Sequence, residues 1–113
     1  SDKTEIVIIT RGSAGSRFYE KKSGQIFSGI VPACKPEKIV DTSGSGDAYI
    51  SGFLFGLIQG YTAEECCMAG SVLASFVIEK EGCLTNIPDR DRFMKRLLPF
   101  REKVSAIKRE NPV

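Results

Sequence analysis

The sequence of 113 residues contains no histidine. A zinc site with a His ligand is therefore excluded, and any general base must be Asp, Glu, Lys, Tyr or Cys. Cysteine is present at positions 34, 66, 67 and 83, but no two make a C-x-x-C pair. An all-cysteine metal site thus lacks its usual spacing, and the pattern is not a secreted disulfide framework, so a reducing cytoplasm fits better. Cys66 is expected in the core, because free cysteine is among the most buried residue types. Long apolar runs are also missing: none approaches the roughly 18–20 residues that span a bilayer. The first ten residues, SDKTEIVIIT, lack the basic-then-apolar layout of a signal peptide and enter a strand almost at once, which suggests a piece of a longer chain. A net charge of +2 gives no argument for nucleic acid or a membrane surface as partner. Internal repeats and low-complexity segments are absent as well.

What is present reads as one modest α/β domain, with 42% apolar and 27% charged residues. EIVIIT (5–10) is β-branched and almost continuously apolar, the pattern of a strand covered on both faces in a parallel sheet. RGSAGS (11–16) is a small-residue turn. Residues 17–21 and 25–31 form a hairpin around Lys22-Ser23-Gly24. Residues 32–38 are irregular, with proline at 32 and 36. From 47 to about 59, Ile50, Phe53, Leu54, Leu57 and Ile58 recur at helical spacing, and Ser51, Gly52 and Gly56 favour close packing against a neighbour. Gly60 is a helix stop. Thr62 and Glu65 make a capping box for a helix to about Lys80, with Cys66, Ala69, Gly70, Leu73, Ala74 and Val77 on one face. Asp89 caps a third helix carrying Phe93, Met94, Leu97 and Leu98. Pro99 interrupts or kinks it, and the residues beyond Pro99 form a fourth helix or a tail. The mixed charges from 90 to 109 are expected on a solvated face. Phe18 and Tyr19 are expected to pack the sheet, and Tyr49 and Tyr61 carry no functional signal.

The chemistry is concentrated in DTSGSGD, residues 41–47. Gly44, Ser45 and Gly46 can bring backbone N–H groups close to a ligand because their side chains are small or absent. The helix that begins there aims its positive dipole end at the same place, which makes an anion site. Asp47, on the first turn of that helix, can take the proton of a hydroxyl as its oxygen attacks a γ-phosphate. The helix N-terminus favours its ionised form. Asp41 either caps the turn through its side chain or holds a cation. The same residue types also serve as an ordinary capped helix start. The Walker phosphate loop is excluded, since no Lys comes after the glycines.

DTSGSGDAYISGFL resembles the C-terminal signature of the ribokinase (PfkB) family of small-molecule kinases. Asp41, Thr42, Gly44, Ser45, Gly46, Asp47, Ser51, Gly52 and Phe53 fall in place. The resemblance extends over the whole chain in order and spacing, but over only about a third of a family member. It implies a ribokinase-like three-layer α/β/α fold, of which residues 1–113 form the C-terminal portion, with a mostly parallel sheet, a β-hairpin and three to four helices. The N-terminal portion and lid lie outside this stretch.

The same resemblance implies a function. Residues 44–46 form the anion hole, Asp47 is the catalytic base, and MgATP is the phosphoryl donor. The acceptor is an alcohol of a sugar first and of a nucleoside second. The TRGSAG turn, with Thr10, Gly12 and Gly15, contacts the ATP phosphates. Ser71 lies by the adenine or ribose, at a position where ribokinase has Asn. A K+ site draws on Asp41, Ser43, Val77, Lys80 and Gly82, mostly through backbone oxygens. These residues alone define little of the acceptor and are expected to be inactive alone. They are also expected to expose a sheet edge and an apolar face that lead to a homodimer or a companion fragment. The alternatives are a non-catalytic nucleotide-binding module and a purely structural fragment.

Overall fold

The computed structural model describes residues 5–82 and 85–110. Cys83 and the first four residues lie outside them. Three strands, β1 (Glu5–Thr10), β2 (Ser16–Lys22) and β3 (Gln25–Val31), form an antiparallel sheet in sequence order. Three helices come next: α1 (Ser45–Ile58), α2 (Ala63–Val77) and α3 (Arg90–Glu110).

The sheet is antiparallel, which corrects the expectation of a mostly parallel one. The link from β1 to β2 is a 3-10 turn at Gly12–Ala14 with one flanking residue on each side, far too short for the crossover that a parallel pair needs. Thr10 therefore pairs with Ser16 and Glu5 with Lys21. The continuous apolar run of β1 is likewise not covered on both faces: Val7 and Ile9 are about half exposed, while Ile6 and Ile8 pack on the core. The β2–β3 hairpin forms where expected, with a turn one residue shorter, because Lys22 still pairs with Gln25. Ser23 (φ 53°) and Gly24 (φ 78°) both take positive φ, which suits the twist of a two-residue hairpin.

On the inner face of the sheet, Ile8, Phe18 and Gly29 stand abreast. A Cβ on Gly29 would lie 2.7 Å from the Phe18 ring, so the ring occupies the space a side chain would take. Phe18 and Val31 join Cys67, Met68, Val72 and Phe76 of α2, with Phe93, Leu97, Phe100 and Val104 of α3, in one core. Helix α2 is thus the central element and is buried on nearly every side. Its capping box forms as expected: Thr62 Oγ1 accepts the Glu65 N–H at 3.2 Å, and Glu65 Oε1 accepts the Thr62 N–H at 2.9 Å.

Helix α1 packs on α2 through small residues, Gly52 and Gly56 as expected, and Phe53 of its periodic large residues packs on the core. Ala48, Gly52 and Gly56 face α2, and Ile50, Leu54, Leu57 and Ile58 are exposed. Small residues let the two backbones approach until a Cβ on Gly52 would sit 2.5 Å from the Ala69 carbonyl oxygen. Contact at that range excludes the bulky face. Helix α3 begins at its Asp89 cap, where Oδ1 accepts the Arg92 N–H at 2.8 Å. It runs through Pro99 without a break, so the described residues hold three α-helices and no fourth. Leu98 is exposed rather than packed. The charged face of α3 is not wholly solvated either: Arg101 pairs with Glu65, and Arg96 with the buried Glu79.

Candidate functional site

Residues 44–47 start α1 two positions earlier than the apolar periodicity suggests. Gly44 is the N-cap in the left-handed conformation (φ 78°), a geometry that favours glycine, and its carbonyl accepts the Ala48 N–H at 2.9 Å. Ser45 and Gly46 fall in the first turn, and Asp47 is the third helical residue, with its side chain exposed. Gly46 is exposed, and a Cβ there would meet nothing within 4 Å. One of the three expected amides is already engaged, since Ser45 N–H reaches the Thr42 carbonyl at 3.2 Å. The Gly46 and Asp47 amides belong to the first turn, whose donors have no acceptor within the helix, and the helix dipole adds its positive end there.

The segment leading into this turn is strapped to the end of α2. Val40 and Asp41 donate their N–H groups to the Ile78 carbonyl at 2.8 and 3.2 Å. The Asp41 carboxylate caps two backbones at once: Oδ2 accepts the Gly82 N–H at 3.0 Å, and Oδ1 accepts the Ser43 N–H at 2.9 Å. The Gly82 bond, then the Ser43 bonds, hold this carboxyl below the usual carboxylate range. Upstream, the Glu37 N–H donates to Glu79 Oε2 at 2.8 Å. Glu79 is only 6% exposed and is matched by Arg96, whose Nη1 lies 2.9 Å from Oε2. Arg96 also donates to Ser75 Oγ at 3.0 Å, and its guanidinium stacks 3.6 Å from the Phe76 ring centre. An open recess between α2 and α3, lined by Phe76, Arg92, Arg96 and Pro99 among others, contains none of the signature residues.

Of the residues expected around a cation, Asp41, Ser43 and Gly82 are brought together by these bonds. Val77 is the last residue of α2, and Lys80 is exposed. Among the described residues, no three His, Cys, Asp or Glu side chains cluster as a metal cage.

The TRGSAG turn is closed by its own backbone. Arg11 N–H donates to the Gly15 carbonyl at 2.7 Å, Ala14 N–H to Arg11 at 3.0 Å, and Gly15 N–H to Gly12 at 3.1 Å. Gly15 has φ 94°, and a Cβ there would lie 2.3 Å from the Val31 carbonyl oxygen, so only glycine fits. Thr10 and Gly12 are exposed, and Ser71 is buried on α2.

One contact joins this turn to the signature. Tyr49, on α1, donates its hydroxyl hydrogen to Ser16 Oγ at 2.9 Å. Ser16 immediately follows Gly15, and Tyr49 lies two residues beyond Asp47. Ser16 is 2% exposed, and the buried Cys67 thiol stands within hydrogen-bonding reach of both. Burial, first of all, raises the Tyr49 phenol well above its ordinary range. Sequence reading misses the roles of Tyr49, Ser16, Glu79 and Arg96, because their partners lie 17 to 42 positions away with no local motif.

The family described as pfkB family carbohydrate kinase matches residues 1–90. A nucleoside kinase of Methanocaldococcus jannaschii is 38% identical over 96 residues, which is 85% of this chain and 30% of that protein. Its crystal structure superposes with a TM-score of 0.71 at 37% identity, covering 83% of this chain and 30% of that one. A Burkholderia thailandensis nucleoside kinase in complex with inosine gives 0.73 at 26% identity, covering 83% and 30%. Arabidopsis thaliana ribokinase complexed with ribose and ATP gives 0.71 at 27% identity, covering 81% and 28%. The chain therefore spans about 30% of the length of the relatives it matches.

Proposed function

The chain belongs to the pfkB family of carbohydrate kinases, and on that premise we propose that it supplies the ATP-side half of a phosphotransfer site, with Asp47 as base. The observation that carries this reading is the open first turn of α1. Gly46 has free space where a side chain would be, and Asp47 is exposed beside it. A phosphate seated on the Gly46 and Asp47 amides, with Gly44 and Ser45 completing the bend, gains charge during transfer, and oriented donors there lower the barrier. Asp47 takes the proton of the attacking hydroxyl. Thr10, Gly12 and Gly15 line the remaining phosphates, and Ser71 sits toward the nucleoside end of ATP. Magnesium supplies charge neutralisation on the phosphates when bound. Backbone oxygens of Asp41, Ser43, Val77, Lys80 and Gly82 are the ligands for a monovalent cation such as K+.

The acceptor is a nucleoside or a sugar. Relatives named nucleoside kinase, at 38% and 35% identity, and relatives named 5-dehydro-2-deoxygluconokinase and ribokinase, at 36% and 31%, keep both acceptor classes in view. Residues that select the acceptor are assigned to the part of the family fold that this stretch does not span, contributed by a longer chain, a companion fragment or a second copy.

The test is ATP-dependent phosphorylation by the purified protein over a panel of nucleosides and sugars. A chimera carrying these residues in place of the matched segment of the M. jannaschii nucleoside kinase serves as a second vehicle. Asp47→Asn is expected to lower turnover by about 10²–10⁴-fold while leaving the fold intact. Turnover that survives the substitution removes Asp47 as base. Binding of ATP with no turnover on any acceptor in either vehicle points instead to a nucleotide-binding module.

A further inference from the structure

The two glycine turns that carry the proposed ATP site belong to different parts of the chain, one between β1 and β2, the other at the start of α1. Among the described residues, a side-chain bond joins them, Tyr49 Oη–H to Ser16 Oγ at 2.9 Å. Its location is unusual for a polar contact. Ser16 and Cys67 are buried, and the elements around them are packed by Phe18, Val31, Ala69 and Val72. A polar pair in an apolar site costs stability unless both partners are satisfied, so it fixes one arrangement of its elements. Tyr49 is held from behind as well. A Cβ on Gly70 would fall 2.7 Å from the Tyr49 carbonyl oxygen and 3.1 Å from its ring, which leaves α1 no room to slide along α2.

We propose that the Tyr49–Ser16 hydrogen bond is a positioning contact, which sets the spacing between the turn at residues 10–15 and the cradle at residues 44–47. This rests on the reading of both turns as phosphate-binding. ATP bound across them must meet two sets of donors at a fixed separation. Tyr49 is two residues from the proposed base and Ser16 is one residue from Gly15, so the bond couples the base to the turn that holds the donor phosphates. Neither side chain touches the reacting atoms. The effect is geometric, and misplacement by about 1 Å can cost up to about a hundredfold in rate.

Tyr49→Phe removes one oxygen and keeps the ring, so the variant folds on the same core. In the nucleoside-kinase chimera, which supplies the acceptor side, turnover should fall about ten- to a hundredfold while KM for ATP moves far less. Ser16→Ala should do the same, and the double variant should be no worse than the more affected single. A second readout needs no turnover. In wild type, ATP should slow amide hydrogen exchange in residues 10–15 and 44–47 together; in Tyr49→Phe the protection should survive in one turn and be lost in the other. Wild-type-like turnover, or equal protection of both turns in Tyr49→Phe, overturns the proposal while leaving the kinase reading in place. A wild-type protein that shows neither turnover nor protection by ATP overturns the kinase reading itself. If turnover alone is missing, the exchange pattern decides the positioning claim.

Discussion

Asp41 and Gly82 are separated by 41 positions and meet in one hydrogen bond of 3.0 Å between a carboxylate oxygen and a backbone N–H. The same carboxylate holds Ser43 N–H at 2.9 Å, so the first residue of DTSGSGD is a clasp between the signature and the end of α2. Its side chain serves the turn directly.

This clasp has a pH signature. The Gly82 and Ser43 bonds lower the folded pKa of Asp41 below its unfolded value of about 3.9. A depressed carboxyl contributes stability that is fully present above the unfolded value and is lost as pH falls through the folded one. Wild type should therefore lose urea resistance below about pH 4 more steeply than Asp41→Asn. Parallel midpoint-against-pH curves for the two proteins would remove the clasp as a contributor.

Two glycines of α1 should behave oppositely. At Gly52, alanine gains up to about 1 kcal/mol of helix propensity. Its Cβ, however, would sit 2.5 Å from the Ala69 carbonyl oxygen and 2.8 Å from the Gly70 Cα, backbone atoms that move only if α2 moves. Overpacking of this kind costs about 1–3 kcal/mol. Gly52→Ala should lower the thermal midpoint by several degrees, read by circular dichroism.

At Gly46, the added methyl meets nothing within 4 Å of the protein. Gly46→Ala should keep or slightly raise the thermal midpoint. Crowding of the phosphate above it should still weaken ATP binding and turnover by at least about tenfold, the scale of one lost donor being larger still. Unchanged ATP affinity by calorimetry would place the phosphate elsewhere.

Burial, followed by the neighbouring Cys67, pushes the Cys66 thiol up to about 11. A raised thiol pKa means that the folded state holds its proton more tightly. The stability tied to this group is fully present below the unfolded value of about 8.5 and is lost as pH rises toward the folded one. Between about pH 8 and 11 the urea midpoint should fall, and Cys66→Ala should flatten that decline. Native protein at pH 8 should resist iodoacetamide at Cys66, which is fully buried, and react only in denaturant. Rapid native alkylation would contradict the packing of α1 on α2.

Much of this molecule is legible in short windows of sequence. The Thr62–Glu65 box, the Gly60 stop, the hairpin turn and the glycine bend before Asp47 are encoded by residues within four positions of one another. Wherever the partner lies far away, sequence reading stops or errs. EIVIIT reads as a doubly covered parallel strand because its apolar run cannot report that Thr10 turns straight back to Ser16. In α1 the small Gly52 and Gly56 do mark the side that packs on α2, but helical spacing cannot report that Ile50, Leu54, Leu57 and Ile58 stay exposed. Leu98, grouped by spacing with Phe93, Met94 and Leu97, is likewise exposed.

The sequence by itself determined the local chemistry: a side-chain-poor bend, a carboxylate on the adjoining helical turn, the Thr62 and Asp89 helix caps and the Gly60 stop. Those depend on φ preferences and on hydrogen bonds of short range. Tertiary structure alone decided what holds the bend in place. The Asp41–Gly82 clasp, the Glu79–Arg96 pair and the Tyr49–Ser16 bond span 17 to 41 positions. Such pairs exist only once apolar burial has brought the helices and sheet together, and for Glu79 and Ser16 it has also removed the water that would otherwise satisfy them.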